Sequence, residues 1–346
     1  MKVQVKVPDG VTTIPGFELD VPDPAPAMPK AEGESRVSQF NGDIYAAALD
    51  AQNGGKLVID RSVKLDTGRP LVLRNVLAEG KGCGDKAPSI AGPVQINGDW
   101  GYLRDVTILN ALVGLQVTGY NVGADHVRIM NCGQSMMVTD HCFYARFAFI
   151  SAVIGNLKGL SLSTPAGSSD DNGQLQFDAC KFGGEFYAIK RDPALAATMH
   201  RILLNQTQLV GGSSGDYIVD LLGLHGITLN TCDIETSGVG PAVAMVRLGG
   251  IGQTLRDCPF AFPSSPRTKK GIVADASFGL NALIDHCGFD YAPPSSTMIT
   301  TATGLVCKHN FLAQSPASSA LLYDGAKRGW VEGEDTGLWI KGVKRF

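Results

Sequence analysis

Apolar and polar positions alternate in short runs along much of this chain, and between Leu175 and Phe289 one such run recurs five times. It reads Leu-Gln-Phe-Asp-Ala-Cys-Lys-Phe at 175–182, Ile-Leu-Leu-Asn-Gln-Thr-Gln-Leu at 202–209 and Ile-Thr-Leu-Asn-Thr-Cys-Asp-Ile at 227–234. It returns as Gln-Thr-Leu-Arg-Asp-Cys-Pro-Phe at 253–260 and Ala-Leu-Ile-Asp-His-Cys-Gly-Phe at 282–289. The Cys or Thr of each copy stands at 180, 207, 232, 258 and 287, in steps of 27, 25, 26 and 29. A period in the twenties marks a solenoid, in which each repeat buries its apolar side only against its neighbours.

A second phrase lies between copies of the first, as in Gly114-Leu-Gln-Val, Gly159-Leu-Ser-Leu, Tyr187-Ala-Ile-Lys and Val243-Ala-Met-Val. Each coil then has three short strands. The second phrase supplies one, the part before the Asn or Asp another, and Cys-x-Phe the third. Parallel strands need crossovers, and here the rest of each coil is the crossover, so no helices are required. Alternation sends the Cys and the Phe inward together. Asp178, Asn205, Asn230 and Asp285 fall at the bend between strands, where Asn and Asp tolerate left-handed backbone angles. Stacked, they predict a polar ladder that Asn110 and Asn131 extend to earlier coils and that Arg256 and Cys307 interrupt. The expected architecture is all-β, a single-stranded parallel β-helix of about nine to eleven coils.

The two ends read differently. Residues 1–38 hold an alternating Val3, Val5, Val7 segment and then Pro22, Pro24, Pro26 and Pro29, an extended arm or linker outside the repeat. From Asp43 to Gly55 the chain predicts a short helix with Ile44, Ala47, Ala48 and Ala51 on one face, stopped by Asn53-Gly54-Gly55. Such a helix caps the coil that would otherwise expose core and unpaired backbone. The β-helix is expected over 39–312. Residues 313–346 depart from the period, and their Trp330, Trp339 and Phe346 suggest a cap or an oligomer contact.

Composition fits a chain that turns often, with 42 Gly in 346 residues. A net charge of −3 offers no electrostatic footprint for nucleic acid. The first residues, Met-Lys-Val-Gln-Val-Lys-Val-Pro-Asp, break any apolar run with charge, which argues against a secretory leader there. No stretch is apolar for long enough to insert in a membrane. The eight Cys show no Cys-x-x-Cys spacing, and Cys132, Cys180, Cys232, Cys258 and Cys287 fall in or beside the repeat. They read as buried reduced thiols in a chain folded in a reducing cytosol.

The helix-capped coil of this length, with its Asn/Asp bend, resembles the pectate-lyase-like superfamily of right-handed parallel β-helices over about residues 40–310. Within that superfamily the Pro-rich arm, the reduced thiols and the absence of a leader look like a bacteriophage tailspike or receptor-binding protein. The resemblance implies a homotrimer in the virion, assembled in the host cytoplasm and acting at the bacterial surface. It implies that the protein binds, and in some relatives cleaves, bacterial surface polysaccharide, while the arm attaches to another virion protein. Two departures weaken an enzymatic reading. The Asp-Gly-Val-x-Asp-Asp-Thr motif of many tailspikes is absent, with Phe40-Asn-Gly-Asp-Ile44 near its place, and the loops are too short to build a deep cleft. A non-catalytic tail or capsid appendage and a free polysaccharide lyase or hydrolase are the alternatives.

Candidate chemistry follows from the coil register. Sugar hydrolysis uses two carboxylates, and equivalent residues on adjacent coils lie about 4.8 Å apart. The ends of the first-strand phrase carry Asp140, Asp192, Asp220 and Asp275, and the neighbouring-coil pair Asp192 and Asp220 is the catalytic candidate. Beside it, Lys190, Arg191 and Arg247 could hold an acidic sugar by charge-assisted bonds, and Tyr187 and Tyr217 offer flat faces to sugar rings. The same Asp residues are also ordinary turn formers. Asp233, Glu235 and Glu185 could form a second acidic group on the third strand, where solvated surface charge is the stronger reading. Asp170-Asp171 is a loop in which calcium is a remote reading. No cofactor is expected. No metal is expected either, because His126, His141, His200, His225, His286 and His309 show no His-x-His or His-Glu-x-x-His spacing. Neither a Gly-x-Ser-x-Gly motif nor a phosphate-binding loop is present.

Overall fold

The computed structural model describes residues 5–7, 10–12, 33–52, 55–82, 84–162, 173–191, 200–264, 266–300, 302–312, 320–324, 330–332 and 340–341. Short strands wind into a parallel β-helix with three faces. The first face runs from Leu71–Leu73 to Ile340–Lys341 and the second from Glu34–Arg36 to Trp330–Glu332. The third is an 11-stranded sheet from Val63–Lys64 to Phe311–Leu312. The strands of all three faces pair in parallel; Val5–Val7 and Gly10–Thr12 form a separate antiparallel pair. Among the described residues no helix is long and apolar enough to cross a membrane.

Register stacks like on like. On the first face Leu115, Met136, Leu160, Ile189, Val219, Val246, Ile272 and Ile299 lie in one inward line, each fully buried. On the second face Phe147 stacks on Phe177 at 4.8 Å, and on the third Phe260 stacks on Phe289 at 4.7 Å. Each such side chain contributes about 1.5–3 kcal/mol by leaving water. The expected helix forms over Ile44–Asp50, and Asp43 caps it by accepting from the Tyr45 and Ala46 N–H groups. Its Ile44, Ala47 and Ala48 join the core, closing the first coil.

The bend differs from expectation by one residue. Asp178, Asn205, Asn230 and Asp285 end their strands, and the left-handed residue is the next one: Ala179, Gln206, Thr231 and His286, with φ of 50°, 50°, 53° and 51°. The physical reason is a bond between coils. Each left-handed residue turns its N–H onto the carbonyl of the following coil's strand end, as Ala179 does to Asn205 and Gln206 to Asn230, both at 3.0 Å. Arg256 therefore does not interrupt the ladder. It pairs in register between Asn230 and Asp285, and Lys308 rather than Cys307 takes the next place. Asn110 and Asn131 are left-handed too, but at the corner between the third and first faces.

The thiols are buried as expected, and the seven described cysteines are free. They also donate. Cys180 and Cys258 reach the carbonyls of Asp178 and Arg256 at 3.4 and 3.2 Å, and the Thr207 hydroxyl reaches Asn205 at 3.2 Å. A small side chain with a donor is what this corner requires, which is why Cys or Thr stands there.

Beyond Leu312 the first and second faces continue. Leu321–Asp324 pairs with Thr297–Thr300, and Trp330–Glu332 with Leu305–Lys308. No strand of the third face follows Phe311–Leu312 among the described residues, so the Cys-x-Phe signature that makes the period legible is lost there. Trp339, Phe346 and the prolines of the arm lie outside the described residues.

Candidate functional site on the first face

The outward positions of the first face form a row parallel to the helix axis. Gln95, Gln116, Met137, Ser161, Lys190, Asp220 and Arg247 pair in register. Its early members are uncharged and its last three alternate in sign. Beside them lies a groove of about 670 Å³, lined among others by Gln134, Lys158, Tyr187, Lys190, Tyr217 and Asp220. Its volume comes from sheet residues and from the adjoining corner, where Leu112, Leu157 and Phe186 stand exposed, rather than from long loops. Short loops thus do not preclude a groove.

Asp220 is only 3% exposed. Arg247 grips its carboxylate in a fork, with Nε donating to Oδ1 at 2.8 Å and Nη2 to Oδ2 at 2.7 Å. A bidentate fork holds both charges and fixes the guanidinium plane. That guanidinium lies 4.5 Å from the centroid of the Tyr217 ring, and its Nη1 is 4.0 Å from Asp275 Oδ2. The Ser277 hydroxyl and N–H both donate to Asp275 and, with Arg247, hold its carboxyl below the usual range. Burial pushes the Tyr217 phenol up, so it remains a neutral donor at physiological pH.

Tyr187 and Lys190 make a second group. The Tyr187 hydroxyl donates to Gln134 Oε1 at 2.9 Å, and Gln134 is anchored in turn by its amide to the carbonyls of Met136 and Gly159. Lys190 Nζ stands 5.8 Å from the Tyr187 ring centroid. Arg191 points toward the next bend, donating to the Gly223 carbonyl at 3.2 Å and lying 5.0 Å from the Phe278 ring centroid. The structure thus gathers Tyr187, Lys190, Tyr217, Asp220 and Arg247 on one face, and Arg191 also lines the groove while its guanidinium reaches Gly223. Register sets Asp220 opposite Lys190 and Arg247. Asp192 and the Asp170-Asp171 loop lie outside the described residues, as does the side chain of Asp140.

A proton is held elsewhere. Burial, followed by the hydrogen bond and charge of Glu235, raises the Asp233 carboxyl to about 7. Both sit on the third-face strand Asp233–Thr236. Glu185 does not join them through any described contact but accepts from the Ser214 hydroxyl at 2.6 Å. A grouping missed by motif spacing is Asp285, His286 and His309, whose side chains meet although the two histidines are 23 residues apart. One coil separates them, and coil length was the signal that could have found them.

No family model matches the sequence, and no curated protein matches it. Solved structures do match. An alginate lyase from Paenibacillus sp. str. FPU-7 is 11% identical, with a TM-score of 0.51 over 86% of this chain and 99% of that one. A DFA-IIIase from Arthrobacter chlorophenolicus A6 is 11% identical, with a TM-score of 0.58 over 90% and 97%. A tailspike of Acinetobacter phage vb_AbaP_AS12 is 12% identical, with a TM-score of 0.55 over 83% of this chain. The chain spans 60% of that tailspike's length. The fold is a right-handed parallel β-helix. At these identities the likeness speaks to the fold alone, and a phage spike and two enzymes share it.

Proposed function

We propose that this protein is a tailspike-like component of a phage virion that binds an acidic bacterial surface polysaccharide along the first-face groove. The observation that carries the proposal is the fixed cationic and aromatic row. Lys158, Lys190 and Arg191 line the groove and offer charge to a sugar carboxylate, and Tyr187 and Tyr217 offer ring faces beside them. Asp220 acts as the counter-ion that orients Arg247. A groove parallel to the axis suits a linear polymer, since successive coils present the same spacing to successive sugars.

Glycan-array or calorimetric binding tests this. Lys190→Gln should weaken binding of an acidic polysaccharide by about tenfold, the loss of one charge-assisted bond, and leave binding of neutral glycans unchanged. Equal binding by the variant would remove Lys190 from the site. Absence of any glycan binding, together with capture of another virion protein by residues 1–38, would favour a structural appendage.

Cleavage by Asp192 and Asp220 is the second reading, supported by the presence of Asp220 in the groove. Release of reducing ends from capsule or lipopolysaccharide would reveal it, and an unsaturated, ultraviolet-absorbing product would mark a lyase. Activity that survives Asp192→Asn would reject the pair.

A further inference from the structure

We propose that Asp285, His286 and His309 form a binding site for a divalent transition-metal ion of the zinc class. His286 and His309 occupy the same left-handed corner on adjacent coils, each with φ of 51°. Asp285 and Lys308, the residues before them, pair in register, so the two imidazoles stack with centroids 4.6 Å apart and planes at 27°. Both Nδ1 atoms converge on one carboxylate oxygen, Asp285 Oδ1, at 2.8 Å for His286 and 3.3 Å for His309. One ligand atom from each residue lies within 4.8 Å of the other two.

That spacing suits an ion. Zinc ligands at about 2.0–2.1 Å in a tetrahedron stand about 3.3 Å from one another, so small side-chain rotations would admit it. Two imidazoles and one carboxylate favour zinc, nickel, cobalt or copper over calcium and magnesium, which prefer all-oxygen shells. Arg256 Nε lies 3.6 Å from the other carboxylate oxygen, Oδ2, and so aims Oδ1 at the imidazoles. The histidine side chains are 53% and 46% exposed, which leaves the remaining coordination positions to water. The same fold contains its own contrast. His126 sits at the equivalent corner with Nδ1 2.8 Å from Asp125 Oδ1, but its neighbour on the next coil is Phe149, stacked at 4.7 Å, which supplies no ligand.

The site joins the coil of Asn281–Asp285 to that of Leu305–Lys308, next to the last described strand of the third face. An ion there would tie two coils together near the point where that sheet stops.

Calorimetric titration of the full chain with zinc chloride tests the site, with cobalt absorption as a second readout. Wild type should bind one ion per chain, and its thermal midpoint should rise with zinc. His286→Asn and His309→Asn should each lower the affinity by at least about tenfold. Asn tolerates the left-handed backbone, so metal-free circular dichroism should not change. Failure of wild type to bind one ion saturably, or unchanged zinc affinity in the double variant, would overturn the proposal.

Discussion

The corner between the second and third faces is built from single residues with unusual backbone. Thr231 holds φ of 53° with a β-branched, exposed side chain, a conformation that costs an L-residue roughly 1–2 kcal/mol. Its N–H donates to the Arg256 carbonyl at 2.9 Å, which keeps it there. Thr231→Gly should therefore stabilise the protein by about 0.5–1 kcal/mol after the entropic cost of glycine, read from the urea midpoint. At this scale the sequence showed that a bend existed but placed the left-handed residue one position early. Asn and Asp are statistical markers of that conformation, whereas here it is imposed by a bond to the next coil. The donor function of Cys and Thr was equally hidden, because a buried thiol and a buried methyl look alike in a pattern.

Strands gain most of their stability from stacks. Phe177 lies between Phe147 at 4.8 Å and Phe182 at 5.7 Å and is fully buried. Phe177→Ala should cost about 3–5 kcal/mol in denaturant unfolding. The third-face pair Asp233 and Glu235 makes a pH prediction. The Asp233 carboxyl rises from 3.8 to about 7 in the fold, so the native state binds its proton more tightly than the unfolded chain. Its contribution is complete below the unfolded value and is lost as pH rises through the folded one. Relative to Asp233→Asn, wild type should lose stability between about pH 4 and 7, measured as the difference in thermal midpoint across that range. A constant difference would mean that the pair shares no proton. Notably, the raised carboxyl belongs to the third face, whereas Asp220 in the groove and Asp275 beyond it are tied to Arg247.

As a whole molecule the solenoid is quasi-one-dimensional, so its ends and outer faces decide what it joins. The helix Ile44–Asp50 closes one end with its apolar face. The homotrimer that the tailspike resemblance implies makes a direct prediction: sedimentation should give three chains per particle, and the particle should resist heat and detergent. A monomer at working concentration would remove the spike reading while leaving glycan binding to be judged separately.

The sequence by itself determined the architecture. Inward positions of a stacked coil meet their own equivalents, so a repeat of apolar phrases near 26 residues is almost a statement of the fold. It also assembled most of the candidates on the first face, because Tyr187, Lys190, Tyr217, Asp220 and Arg247 fall in or just after one strand phrase. Tertiary structure alone decided their partners. A shift of one or two residues along a strand changes which side chain faces which, and coil lengths vary by more than that. Hence Asp220 faces Lys190 and Arg247 across the register, Arg191 turns to Gly223, and His286 meets His309. Periodicity fixes the axis along which residues stack, whereas contact at hydrogen-bond distance depends on register to a single residue.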